Sequence, residues 1–484
     1  MSRLIVGPFN RVEGDLEVQL EVADGQVVSA RVVSPMYRGF ETMLQGRAPN
    51  DALVIVPRIC GICSVSQSVA AARALADAAG VTPPPNGQHA INLMLGTENA
   101  ADHLSHFYLF FMPDFTRAVY DGRPWVAEAR RRFAALAGEH ARQAIAARQR
   151  WFELMGTLGG KWPHTQSVLP GGSSRAIDAG ERLRLLARLR EFRGFIEDTL
   201  YGAPIEEVLA LDTEAALQAW QAQDPLRGDL RLWLTIAADT GMDRLGPGPD
   251  RLISVGGFAQ ADGTHWFARG LWQAGAARAL DLGDITEDAT HAWLDEGNRG
   301  PRHPAEGLTQ PTIDKPAGYT WNKAPRLAGQ VVETGALARQ LIAGQPLLRA
   351  LHARCGATVH TRVLGRLIEL GRILVLMEQT LAAIVPREPF HTATHLPDQA
   401  SGVGLTEAAR GALGHWLRVE RGRIAHYQIV APTSWNFSPR DAGETPGALE
   451  AALVGASVLP GETTPVAVQH IVRSFDPCMV CTVH

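Results

Sequence analysis

Cysteine is scarce, with five in 484 residues. That is too few for the disulfide framework of a secreted scaffold of this size. Neither charge is in excess, since 46 Lys and Arg stand against 50 Asp and Glu for a formal charge of -4. A phosphate backbone or an anionic membrane needs a basic surplus, so nucleic acid is excluded as the expected partner. No uninterrupted apolar run approaches the ~18 residues of a membrane span. The opening stretch MSRLIVGPFNRVEGD has no apolar core of signal-peptide length, which makes the cytoplasm the expected location. Internal repeats and low-complexity tracts are missing too.

What is present is a hydrophobic share of 46% with 20% charged residues, the balance of a folded, soluble protein. Length alone leaves room for two or three domains. Residues 16–34 alternate apolar and polar on both sides of Asp24-Gly25, a dipeptide that favours positive φ, and predict a hairpin. From Ser64 an alanine-rich helical pattern runs to Gly80, a residue suited to the left-handed helix end. Further helical patterns cover about 126–156, 180–201 and 358–385, the last stopped by Pro386. Gly and Pro are spread through 156–172, 245–263 and 299–325, which read as long connections.

Four of the five cysteines form two C-x-x-C pairs, Cys60/Cys63 and Cys478/Cys481, leaving Cys355 over. Four soft thiolates suit nickel, zinc or an iron-sulfur cluster and exclude magnesium or calcium as the thiolate-bound metal. Spacing alone favours a structural zinc site. The pairs lie at opposite ends of the chain, however, far beyond the ~15 to 20 residues of a local zinc ribbon. A site that joins the ends belongs in the core.

Eight motifs in order carry a resemblance: RVEGD (11–15), RGFE (38–41), PRICGIC (57–63), DHLSHFY (102–108), GGKWPHTQSVLPGG (159–172), ARGALGHW (409–416), YQIVAPTSWNFSPRD (427–441) and DPCMVCTVH (476–484). Along its whole length the chain resembles the large subunit of nickel-iron hydrogenases. The resemblance implies an α+β, predominantly α-helical fold, a single large-subunit domain over residues 1–484. A central helix bundle and small peripheral sheets would bury the site where the N- and C-terminal segments meet.

By the same resemblance Cys60, Cys63, Cys478 and Cys481 hold nickel, with Cys63 and Cys481 bridging to an iron that carries carbon monoxide and cyanide. Thr433 and Arg410 lie beside those ligands, Arg410 overhanging the open coordination position, and Asp102 and Asp476 orient it. On residue pattern alone Arg410 reads as a surface helix cation and Asp102 as an ordinary helix or loop acid. Splitting dihydrogen into unlike halves needs a Lewis acid and a base, and a metal-bound thiolate can be that base. The resemblance makes Cys478 the first proton acceptor and Glu13 the next. Glu41, the backbone carbonyl at Ile429 and His484 match the family's magnesium site, which waters complete.

Three departures are visible. Most members carry histidine four residues after Cys63, where this chain has Gln67, one helical turn on and on the same face. An amide hydrogen-bonds but takes up no proton. Ile62 and Phe110 stand where catalytic members often have smaller residues, and they match gas-channel positions of the hydrogen-sensing subgroup. Ala409 replaces the usual proline before Arg410. Family precursors usually carry an extension beyond the last histidine. The chain as given ends at His484, which leaves open whether such an extension was removed or never encoded.

The expected function is the large subunit of a regulatory hydrogenase that senses dihydrogen by cleaving it slowly at a nickel-iron centre. The alternative is an energy-conserving uptake hydrogenase large subunit with the same ligands. Cys355 alone holds no cluster, so electrons leave through an iron-sulfur small subunit, in a heterodimer or a dimer of heterodimers. The sensing role adds a histidine kinase as partner.

Overall fold

The computed structural model describes residues 2–295, 297, 300–482 and 484. Three antiparallel strands, Ser2–Val6, Glu17–Ala23 and Gln26–Val33, open the chain. Asp24 and Gly25 make the turn at φ 51° and 72°, so the predicted hairpin forms with both turn residues left-handed. Helix Ser64–Ala79 follows directly on Cys63 and closes at Gly80 in the left-handed conformation, as its sequence requires.

That helix is buried on nearly every side because strand Ala400–Ala408 lies against it at backbone distance. Two glycines allow the approach. A Cβ at Gly404 would stand 1.9 Å from the Ala70 carbonyl, and one at Gly402 2.1 Å from that of Ala74. The interior is helical: Pro85–Ser105, Glu139–Trp151, Ala179–Phe195 and Val359–Ala383 pack on one another around a single large apolar cluster. Helix Pro85–Ser105 runs into the π-helical segment His106–Phe111. Smaller sheets surround these helices, and the predominantly helical α+β architecture matches the expectation from sequence. No helix among the described residues is long and apolar enough to cross a membrane.

Three expectations change. The pattern over 126–156 is three helices, Val126–Phe133, Glu139–Trp151 and Glu153–Gly159, because the chain folds back at Gly138, where a Cβ would lie 2.5 Å from the Arg132 carbonyl. The connection expected at 245–263 contains strand Arg251–Ala259, buried on both faces and paired with His265–Gln273. Gly256 and Gly257 disguise it, and a strand covered on both sides shows no alternation. Arg410 is not on a helix: it occupies the tip of the hairpin Ala400–Ala408/Gly411–Glu420, almost wholly buried.

Candidate metal centre

The two ends of the chain meet at the thiols. Cys63 is the residue from which helix Ser64–Ala79 starts, and Cys60 sits in the loop before it. Helix Val466–Ser474 delivers the other pair through Asp476, a left-handed residue at φ 56°. Glu13 and Cys478 form an isolated parallel bridge, and the Met479 amide donates to the Glu13 carbonyl at 2.7 Å. Gly14 is obligatory beside it, because a Cβ would stand 2.9 Å from the Val480 nitrogen at φ 80°.

All four site cysteines are buried, and their sulfurs lie within 4.8 Å of one another. Sγ···Sγ distances are 3.3 Å for Cys60–Cys478, 3.2 Å for Cys63–Cys481 and 3.0 Å for Cys478–Cys481. The amides of Ile62 and Cys63 point at Cys60 Sγ from 3.3 and 3.4 Å. Burial opposes ionisation of Cys60, but the three neighbouring thiols and Arg410 outweigh it and push that thiol down. Cys63 and Cys478 are pushed up, by the neighbouring thiols and by burial. The site thus accommodates one negative sulfur easily and four only around a cation. Four convergent thiolates are the donor set of a soft transition metal, so the residues fit such an ion.

Arg410 overlooks the cluster. It grips Asp102 with two nitrogens at 2.5 and 3.2 Å, and reaches Asp476 Oδ1 at 3.2 Å and the Asp476 carbonyl at 3.0 Å. The two carboxylates outweigh burial and hold its charge well above the ordinary range. Thr433 accepts from the Cys478 amide at 3.1 Å through Oγ1. Glu13 is half-buried. Burial first, then the Cys60 thiolate, push its carboxyl up against the pull of Arg410 and Arg38.

A second polar pocket flanks the thiols. Glu41 Oε1 accepts from the Ile429 amide at 2.8 Å and the Gln428 side chain at 2.5 Å, while His484 stands 3.4 Å away. The His484 ring reaches the carbonyls of Ile429 at 2.7 Å and Cys481 at 2.6 Å. Burial works against the Glu41 charge, but Lys323 and His484 hold its pKa down to about 2. The three groups expected to share a magnesium ion are therefore together, and Lys323, Glu287 and Thr309 join them. Sequence reasoning missed those three, which fall in or near segments read as connections and carry no spacing signal.

Gln67 lies one turn beyond Cys63, as expected, but its Oε1 accepts from His415 Nε2 at 3.0 Å. Burial, then His484, push that imidazole down to about 3, so it is neutral, and its Nδ1 takes the Tyr427 hydroxyl at 2.9 Å. Ile62 packs at the edge of the cluster that contains the cysteines. Phe110 is half-buried on the π-helical segment, outside that cluster.

Glu98 was also missed. Its carboxylate takes the amides of Val65 and Ser66, both at 2.8 Å, at the start of the Cys63 helix, and the Trp162 indole at 3.1 Å. His164 Nδ1 donates to the Pro57 carbonyl at 3.0 Å. The motif at 159–172 thereby braces the Cys60–Cys63 loop.

A family model described as nickel-dependent hydrogenase matches residues 38–121 and 115–484. The chain belongs to the nickel-dependent hydrogenase family. It is 31% identical over 518 residues to the periplasmic [NiFeSe] hydrogenase large subunit of Desulfomicrobium baculatum, covering 100% of this chain and 95% of that one. It is 26% identical over 613 residues to the uptake hydrogenase large subunit of Rubrivivax gelatinosus, covering 100% and 95%. The crystal structure of a reduced, active form of the Ni-Fe-Se hydrogenase from Desulfomicrobium baculatum superposes with a TM-score of 0.86 at 31% identity, all of both chains being covered. Membership sets aside the structural zinc site as the purpose of the four thiols.

Proposed function

We propose that this hydrogenase chain is the nickel- and iron-bearing large subunit of an enzyme that oxidises dihydrogen in turnover, of the uptake kind. The observation that carries the proposal is the convergence of four buried thiols from both chain ends beneath Arg410. The relatives named above favour turnover over sensing: they are full-length matches whose names are those of hydrogenases, one an uptake enzyme. The regulatory role expected from sequence has no support among them, and neither has its kinase partner.

Cys60, Cys63, Cys478 and Cys481 would hold the metals, and Glu41, the Ile429 carbonyl and His484 a magnesium ion. When bound, the nickel-iron group supplies the Lewis acidity that polarises dihydrogen, with carbon monoxide and cyanide on its iron. The chain's own residues do the rest. Cys478 Sγ takes the proton, and the Glu13 carboxyl, tied to Cys478 through the backbone, takes it next. Its raised pKa suits a group that must both accept and release. Arg410, fixed by Asp102 and Asp476, keeps a positive charge over the reacting side and excludes water from it.

Electrons leave through an iron-sulfur small subunit, since the remaining cysteine, Cys355, cannot hold a cluster. The cytoplasmic location is part of the same proposal and is tested by cell fractionation. Infrared spectroscopy of the purified complex tests the centre: bands of iron-bound carbon monoxide and cyanide are expected, with one nickel per large subunit and one iron beyond those of the small subunit's clusters. Zinc alone, without those bands, overturns the reading.

One observation favours a second reading. Gln67 Nε2 is buried without a partner among the described residues, in a place where the resemblance puts a histidine in most members. A sensor would show dihydrogen-dependent signalling that Gln67→His abolishes.

A further inference from the structure

The hairpin that presents Arg410 is unusual in its turn. Ala408 pairs with Gly411, which leaves Ala409 and Arg410 as a two-residue loop, and neither has positive φ. Two-residue hairpins favour turns with positive φ at one or both loop positions, because the others splay the strands. Some of the correction comes at Gly411, at φ 134°, where a Cβ would stand 2.5 Å from the Thr334 side chain. The rest must come from outside the hairpin.

Arg339 supplies it. The side chain is fully buried in helix Ala336–Ile342, and all five of its N–H donors are used. Nη1 donates to the Ala408 carbonyl at 3.0 Å and to Glu407 Oε2 at 2.6 Å. Nη2 donates to the Ala409 carbonyl at 2.8 Å and to Glu369 Oε1 at 2.6 Å, and Nε to Glu369 Oε2 at 2.9 Å. The two carbonyls are those immediately before Arg410. Glu369 also accepts from His103 Nε2 at 3.0 Å, and His103 follows Asp102, the residue that Arg410 grips. One carboxylate therefore steadies both sides of the Arg410–Asp102 pair.

We propose that Arg339 is a positioning residue for Arg410: by clamping the carbonyls of Ala408 and Ala409 it fixes the turn and hence where the Arg410 guanidinium stands over the thiols. The proposal rests on the role given to Arg410 above. It also accounts for Ala409. Proline is favoured at the first loop position of such a turn because its ring presets φ, and a chain without it needs the turn held by other means.

Arg339→Lys in the metal-loaded complex with its small subunit tests this. Lysine keeps the charge between Glu369 and Glu407, but its three donors cannot replace five in that fork. Nickel and iron contents should stay at the parent level. Backbone amides of residues 409–412 should exchange faster by mass spectrometry, and kcat for dihydrogen oxidation should fall ~10- to 100-fold, the scale of a small misplacement. Adding Ala409→Pro should return most of kcat while the melting temperature stays that of Arg339→Lys.

Parent-like exchange and kcat in Arg339→Lys would overturn the proposal, as would a loss that Ala409→Pro does not relieve. If Arg339→Lys does not assemble, Glu407→Gln leaves the arginine in place with a weaker anchor, and the same rescue decides. Arg410→Lys is measured alongside. If that variant turns over normally, the role of Arg410 has failed, and amide exchange still reports whether Arg339 holds the turn.

Discussion

Asp114 and Arg473 form a fully buried ion pair at 2.5 Å, and the other Asp114 oxygen holds Arg11. Arg11 lies two residues before Glu13, and Arg473 five before Cys478. One carboxylate therefore ties the two backbone segments that meet at the thiols. Asp114→Asn would leave Arg473 buried without its carboxylate partner, which should cost about 3 to 5 kcal/mol. Thermal unfolding should show that loss together with lower nickel content. A stable variant with full metal would mean that the bridge between Glu13 and Cys478 needs no such tie.

Glu13→Gln keeps the shape of the side chain and removes its proton. Metal content should be unchanged, while hydrogen/deuterium exchange catalysed by the enzyme falls at least ~100-fold. Undiminished exchange would assign the relay to another group.

Glu41→Ala leaves Lys323 and His484 facing each other without their shared carboxylate. The tail carrying Cys481 should loosen, seen as faster proteolysis of the C-terminal segment and loss of nickel. Magnesium should raise the melting temperature of the parent and not of the variant. Equal response in both would remove Glu41 from the cation site.

Buried histidines set the acid limit of stability. Burial pushes His360 and His470 down to about 4 and His106 and His415 down to about 3. In the unfolded chain they protonate near pH 6.5. Below that pH the unfolded state binds the extra protons, so stability is fully present above about 6.5 and is lost as pH falls toward 4. Glu98 and Asp102, each pushed up to about 7 by burial, act in the opposite sense, as do Glu13, Glu287, Glu407 and Glu450, whose carboxyls burial also raises. The histidines that burial pushes down, His89, His103, His265, His352 and His426 among them, outnumber these carboxyls. His360→Gln removes one such proton and should flatten the fall by ~3 kcal/mol across that range. An unchanged slope in chemical unfolding at pH 4.5 to 6.5 would show that His360 is not buried neutral.

The metal ligands were legible because thiol pairs are rare and chemically narrow. Their arrangement was not: nothing in local pattern says that Cys60 and Cys478 meet, and it took the ordered motifs to bring them together. Arg410 reads as a surface helix cation because its neighbours Ala409, Gly411 and Ala412 are small and give no strand alternation. Arg339, Glu369 and Glu407 sit in three elements and make sense only once those elements pack. Strand Arg251–Ala259 was hidden for a related reason, since burial on both faces erases the period that identifies a strand.

The sulfurs of Cys60 and Cys478 touch across 418 positions of chain. The entropy of closing so long a loop is modest, since each doubling in length adds only about 0.6 kcal/mol. The order of events is constrained much more tightly. Cys60 and Cys63 leave the ribosome long before their partners exist, because Cys478 follows Cys60 by 418 residues. Until then the first pair can offer an ion only two thiolates in a half-built pocket. A four-thiolate site therefore waits for the second pair, and the metal centre forms later than the helix that starts at Cys63 can.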